Sequence, residues 1–162
     1  MTQKSLEELI GKLLRERGWL LAVAESCTGG LIGHRITNIP GSSTYYLGSI
    51  TAYAYSAKVR LLGVSWDTLE KYGAVSENTV REMADGVRHA LAADVGLSVS
   101  GIAGPSGGTP EKPVGFTCFG LSTPHGTWTK CHTAGGDRLA NKQESAQVAL
   151  QFLYDYLTGQ YP

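Results

Sequence analysis

Trp19-Leu20-Leu21-Ala22-Val23-Ala24 runs without a polar residue into Glu25-Ser26-Cys27-Thr28-Gly29-Gly30, after which Leu31, Ile32, Arg35 and Ile36 follow a helical pattern. A short continuous apolar run reads as a strand buried on both faces, the kind that helices cover from two sides. Strand, glycine turn and helix in that order place the chain in the α/β class.

Working outward, the remaining segments agree. Ser5-Leu6-Glu7-Glu8 is a capping box, Leu6, Leu9, Ile10, Leu13 and Leu14 recur at helical spacing, and Gly18 closes that helix. Pro40-Gly41-Ser42-Ser43 ends the second helix, and the tyrosine- and isoleucine-rich Tyr46–Tyr53 reads as a strand. A short helix carries Lys58, Leu61 and Leu62, and Ser65 starts another that stops at Gly73. Ser76 caps a helix whose inner face is Val80, Met83, Val87 and Leu91. Asp94–Ser100 and Val114–Ser122 are strands, and Pro124-His125-Gly126 turns the second into Thr127–Thr133 as an antiparallel hairpin. Asp137 caps a last helix with Leu139, Ala146, Leu150, Leu153 and Leu157 on one side. The expectation is one three-layer α/β/α domain over residues 1–162, with a mixed, mostly parallel sheet.

Between the third and fourth strands lies Gly101-Ile-Ala-Gly-Pro-Ser-Gly-Gly-Thr-Pro-Glu-Lys-Pro-Val-Gly115. Five glycines and three prolines exclude a helix or central strand. The segment is a shaped loop whose backbone N–H groups can approach a ligand closely.

Composition narrows the function. The 14 basic and 14 acidic side chains cancel, leaving no electrostatic footprint for nucleic acid or an anionic membrane. The apolar runs are too short for a membrane span, and Met1–Arg17 lacks a signal-peptide core. Cys27, Cys118 and Cys131 form no Cys-x-x-Cys pair, which fits a reducing, cytoplasmic compartment. Walker A, Gly-x-Gly-x-x-Gly and Ser-x-x-Lys patterns are missing. His34, His89, His125 and His132 show no metal-ligand spacing.

Two candidate segments could supply a nucleophile. Cys27 sits between a strand and a helix start, where a helix dipole lowers a thiol pKa. Its neighbours Ser26, Thr28, Gly29 and Gly30 suit ligand binding, since free N–H groups at a helix start accept a phosphate or carboxamide oxygen. The other candidates are the hydroxyls of Ser42 and Ser43, with Tyr53 and Lys58 beyond the next strand. A desolvated lysine can serve as the base such a hydroxyl needs.

Six motifs occur in a fixed order: Ala24-Glu-Ser-Cys-Thr-Gly-Gly30, Pro40-Gly-Ser-Ser43, Gly73-Ala-Val-Ser-Glu77, Gly101-Ile-Ala-Gly-Pro105, Glu111-Lys-Pro-Val-Gly115 and Gly136-Asp-Arg138. Together they resemble the CinA C-terminal domain family, the nicotinamide-nucleotide amidohydrolases, in its stand-alone form. The resemblance implies hydrolysis of the carboxamide of nicotinamide mononucleotide to nicotinate mononucleotide and ammonia, in pyridine nucleotide salvage. It implies no metal or organic cofactor, a small-molecule nucleotide as partner, and a homo-oligomer. Carried onto this chain, it makes Ser43 the nucleophile, Lys58 its general base and Tyr53 a member of their hydrogen-bond network. Ser26, Thr28, Gly29, Gly30, Ser100, Gly101 and Gly104 become substrate-binding, and Arg138 holds the phosphate with Asp137 orienting it.

The chain departs from the family pattern at three places. Tyr55 replaces an asparagine, Ser49 stands where glycine is frequent, and Asn141 and Lys142 occupy the neighbourhood of a second arginine. Tyr55 keeps open an alternative, a catalytically impaired nucleotide-binding module of the same family, and a hydrolase using Cys27 stays open as a third.

Overall fold

A computed structural model describes residues 2–161. Helix α1 (Leu6–Arg17) begins at a reciprocal cap: Ser5 Oγ accepts from the Glu8 N–H, and Glu8 Oε2 accepts from the Ser5 N–H at 2.7 Å. Gly18 ends it in the left-handed region that glycine enters freely, at φ 65°. Then follow β1 (Leu21–Glu25), α2 (Leu31–Thr37), a 3₁₀ turn (Ser42–Thr44), β2 (Tyr46–Thr51), α3 (Tyr55–Leu62), α4 (Trp66–Tyr72) and α5 (Glu77–Ala90). The chain finishes with β3 (Val95–Gly101), β4 (Phe116–Thr123), β5 (Gly126–Thr133) and α6 (Arg138–Leu157).

The five strands form one sheet in the order β2-β1-β3-β4-β5. Strand β1 pairs parallel with both β2 and β3, whereas β3–β4 and β4–β5 are antiparallel. Four strands therefore point the same way and β4 alone is reversed. Alternation along β1 assigns the two cores. Leu21 and Val23 pack with Ile10, Leu14, Leu150 and Leu153 of α1 and α6, while Ala22 and Ala24 pack with Leu62, Val80, Met83 and Val87 of α3 and α5.

The α5 face is lined by small residues for a steric reason. A Cβ on Gly96 or Gly120 of the sheet would strike the main-chain carbonyl of Ala84 or Val80 on α5. Glycine at those positions lets α5 lie close against the sheet, and Gly86 does the same where α5 meets the carbonyl of Leu62 at the end of α3.

Three details differ from the pattern read in the sequence. Leu139 is 70% exposed, because the buried face of α6 begins only at Asn141, one half-turn further on. Leu91 is half-buried just past the end of α5. Cys118 and Cys131 lie opposite each other on β4 and β5 and are joined by a disulfide, so the reduced-thiol expectation holds for Cys27 alone.

Gly86→Ala is expected to destabilise the fold by about 1–3 kcal/mol, the usual cost of overpacking, since the obstacle is backbone and cannot rotate away. Thermal unfolding checks this; an unchanged midpoint would mean that α3 and α5 do not meet as described.

Candidate active site

The carboxyl ends of β1, β2 and β3 all open on one edge of the sheet. Helix α2 returns to β2 on one face and α3–α5 return to β3 on the other, so the β1/β3 crevice is a topological switch point.

Glu25 closes β1 and is fully buried. Its Oε1 accepts from Thr28 Oγ1 at 2.6 Å and the Ile32 N–H at 3.0 Å, and its Oε2 accepts from the Gly33 N–H at 3.0 Å. A buried carboxylate must be hydrogen-bonded. Here it is also a clamp that locks the Ser26–Gly30 turn onto the start of α2. Gly29 and Gly30 carry the turn at φ 61° and 103°, where a side chain would strain the backbone. Glu25 had no assigned role in the sequence reading; an acid ending an otherwise apolar buried run is the signal that marks it.

Side chains alternate across the sheet, so the residue after Glu25 points the other way. Ser26 thus faces the α3–α5 side, where it meets Lys58. The lysine is only 1% exposed, and its Nζ lies 3.0 Å from Ser26 Oγ, 2.9 Å from the Ala52 carbonyl and 2.9 Å from the Tyr53 carbonyl. Burial pulls its pKa down to about 8. A neutral amine has two N–H donors and one lone pair. With both carbonyls taking the donors, the lone pair is left for the Ser26 hydroxyl.

The structure does not bring Ser43 to this lysine. Ser43 is exposed in the 3₁₀ turn before β2, and Lys58 lies beyond the far end of that strand. Six strand residues separate the two by roughly 20 Å. Lys58 is paired with Ser26 instead. Cys27 is buried in the α1/α2/α6 core, and burial pushes its thiol up to about 11, which keeps it protonated and unreactive. Tyr53 reaches Lys58 through its main-chain carbonyl, whereas its hydroxyl accepts from Arg138 Nη2 at 3.3 Å.

Arg138 opens α6, whose cap is Asp137 accepting from the Ala140 N–H at 2.9 Å. Its Nη1 donates to the Gly104 carbonyl at 2.6 Å, so the guanidinium bridges Tyr53 and the Gly/Pro loop. Buried Asn141 adds a second tie, donating to the Ala103 carbonyl at 3.0 Å and accepting from the Gly136 N–H. Ser100 is buried at the end of β3, with Gly101 beside it. Tyr55 leans on Trp66 with ring centroids 6.5 Å apart, and Lys58 has its three partners without it. Among the described residues no group of three or more His, Cys, Asp or Glu could hold a metal ion, and no helix is long and apolar enough to cross a membrane.

Comparisons with known proteins agree with this architecture. The sequence model of the CinA C-terminal domain matches residues 3–157. A putative competence-damage inducible protein of Halothermothrix orenii is 53% identical over 157 residues, covering 96% of this chain and 38% of that protein. A CinA-like protein of Desulfosudis oleivorans is 54% identical over 151 residues, covering 92% of this chain and 36% of that protein. The chain thus spans less than two fifths of the length of either relative. Among solved structures, a competence-damaged protein (CinA) superfamily protein from Enterobacter cloacae superposes with a TM-score of 0.90 at 32% identity, over 97% of this chain and 96% of that one. The competence/damage inducible protein CihA from Agrobacterium tumefaciens gives 0.88 at 34% identity, over 98% and 99%.

A lysine whose pKa is lowered in the fold is protonated in both states below pH 8 and neutral in both above 10.5. Between those values the unfolded chain binds the extra proton, so stability is expected to rise with pH across that window. Denaturant unfolding of the wild type and Lys58→Met checks this. A rise of equal size in the variant would refute the assignment to Lys58.

Proposed function

Because the chain belongs to the CinA C-terminal domain family, we propose that it is a nicotinamide-nucleotide amidase in which Ser26 is the nucleophile and Lys58 its general base. The observation that carries the reading is the buried Ser26–Lys58 pair at the switch-point crevice. The resemblance of the six ordered motifs supplies the substrate, the carboxamide of nicotinamide mononucleotide.

The chemistry follows from the hydrogen bonds. Neutral Lys58 takes the Ser26 proton as Oγ attacks the carboxamide carbon, and the two carbonyls of Ala52 and Tyr53 stabilise the ammonium that forms. The oxyanion develops beside the 26–30 turn. There the N–H groups of Thr28 and Gly30 donate to no protein acceptor among the described residues. Preorganised donors of this kind are worth about 3 kcal/mol each. The Lys58 ammonium returns its proton to the amide nitrogen of the tetrahedral intermediate, which departs as ammonia and leaves an acyl ester on Ser26. Water, deprotonated by the same amine, cleaves that ester to the carboxylate and regenerates the serine. The balance is one amide and one water in, one carboxylic acid and one ammonia out. Arg138, Tyr53 and Asn141 hold the rim of the crevice, and the Gly/Pro loop forms one wall.

Ammonia release from nicotinamide mononucleotide tests the reading. Ser26→Ala and Lys58→Met are expected to lose about a thousandfold or more while remaining folded, and Ser43→Ala is expected to keep wild-type activity. Wild-type kcat/KM should climb with pH through about 8 as Lys58 loses its proton. An active Ser26→Ala variant, or an inactive Ser43→Ala one, would overturn the assignment.

A further inference from the structure

Cys118 and Cys131 tie β4 to β5 at the third register pair from the open end of their hairpin, after Phe116–Thr133 and Thr117–His132. A turn before Gly126 closes the other end. Strand β4 runs against β3, so the open end lies at the sheet edge that carries the Ser26–Lys58 crevice. A two-stranded ladder frays from its open end, where no turn holds the strands together. The disulfide stands where that fraying would advance, and Cys118 is the register partner of Ser100 on β3.

The rim of the crevice hangs from this open end. The Ile102 N–H donates to the Phe116 carbonyl at 2.9 Å and the Gly115 N–H to the Ile102 carbonyl at 2.7 Å, which closes the root of the Gly/Pro loop. The Ala134 N–H donates to the Gly115 carbonyl at 3.0 Å, tying that root to the segment that leads from β5 into α6. The Thr117 and Ser145 hydroxyls pair at 3.2 Å, and Asn141 and Arg138 then hold the Ala103 and Gly104 carbonyls. Loop, β4 and α6 thus form one unit at the end of the ladder that the cross-link secures.

The two sulfurs differ in access. Cys118 is fully buried among Ala22, Val80 and Met83, whereas Cys131 is half-buried on the edge strand β5. The remaining thiol, Cys27, is buried in the core on the opposite face of the sheet and cannot exchange with either.

Resting on the amidase reading for its kinetic effect alone, we propose that the Cys118–Cys131 disulfide is a redox switch for the active-site rim. The oxidised form holds the Gly/Pro loop in place over the crevice, and a dithiol reductant releases it. A thiolate of the dithiol attacks the accessible Cys131 Sγ, the S–S bond breaks, and Cys118 leaves as a thiolate. The second thiol of the reductant then closes on the mixed disulfide and frees Cys131. Two electrons pass to the protein, each cysteine takes up a proton that the dithiol gave up, and the reductant departs as a cyclic disulfide.

The test compares the whole chain oxidised in air with the same protein reduced by dithiothreitol, and uses Cys131→Ala as the permanently open form. Alkylation in denaturant should count one thiol in the first and three in the second. Amide hydrogen exchange at residues 102–115 and 134–136 should run about tenfold faster after reduction, while exchange along β1 stays the same. For nicotinamide mononucleotide, reduction should raise KM by about fivefold or more with kcat within about threefold. Cys131→Ala should match the reduced protein and ignore dithiothreitol. Three thiols after air oxidation, equal exchange in the two states, or an equal KM in an active enzyme overturns the switch. A dithiothreitol response that persists in Cys131→Ala overturns it as well. If neither state releases ammonia, the amidase reading falls and the exchange rates alone decide the switch.

Discussion

A lysine amine held out of water is the constraint on which the active end of this molecule depends. Lys58 cannot leave three polar contacts unmade in a site 1% exposed, so the chain surrounds its Nζ with two carbonyls and one hydroxyl. Those acceptors come from the ends of two parallel strands, β1 and β2, whose relative position is set by the ladder between them. Burial that disfavours the ammonium also brings the amine's pKa to about 8, near the range where a base must work. Structural cost and chemical usefulness share one origin.

The scaffold that holds this lysine is built from close approaches. Helix α5 lies against the sheet because Gly96 and Gly120 have no side chains to hold it off, and Gly86 lets it meet the end of α3, the helix that carries Lys58. On the opposite face the buried Glu25 carboxylate ties the β1–α2 turn to its helix. The clamp, Glu25, and the partner of Lys58, Ser26, are consecutive residues. The alternation of the strand sends Glu25 to one layer and Ser26 to the other, which places Ser26 against Lys58 while the turn itself stays fixed.

Much of this was legible in the chain. The capping box at Ser5, the stops at Gly18 and Gly73 and the caps at Ser65, Ser76 and Asp137 are local chemistry, and each stands where its residues indicated. The glycine turn at Ser26–Gly30 was equally readable, and Lys58 was picked out through the family resemblance. The partner of Lys58 was not. Ser43 is nearer to it in sequence than Ser26, yet a six-residue extended strand carries the chain away from Ser43 before Lys58 is reached. Leu139 failed for a related reason: periodicity identifies a face of α6 without saying where along the helix the sheet begins to cover it.

The sequence by itself determined the α/β class, the order of the elements, their caps and the residue types available for catalysis, because these depend on hydrogen bonds and periodicities within a few residues. Only the tertiary structure decided which hydroxyl meets the amine and which cysteines pair. The Ser26–Lys58 contact spans 32 residues and exists because β1 and β2 lie parallel, with their carboxyl ends together and a helix crossing on each face. Long-range pairing of that kind is set by how the layers stack, and no local pattern encodes it.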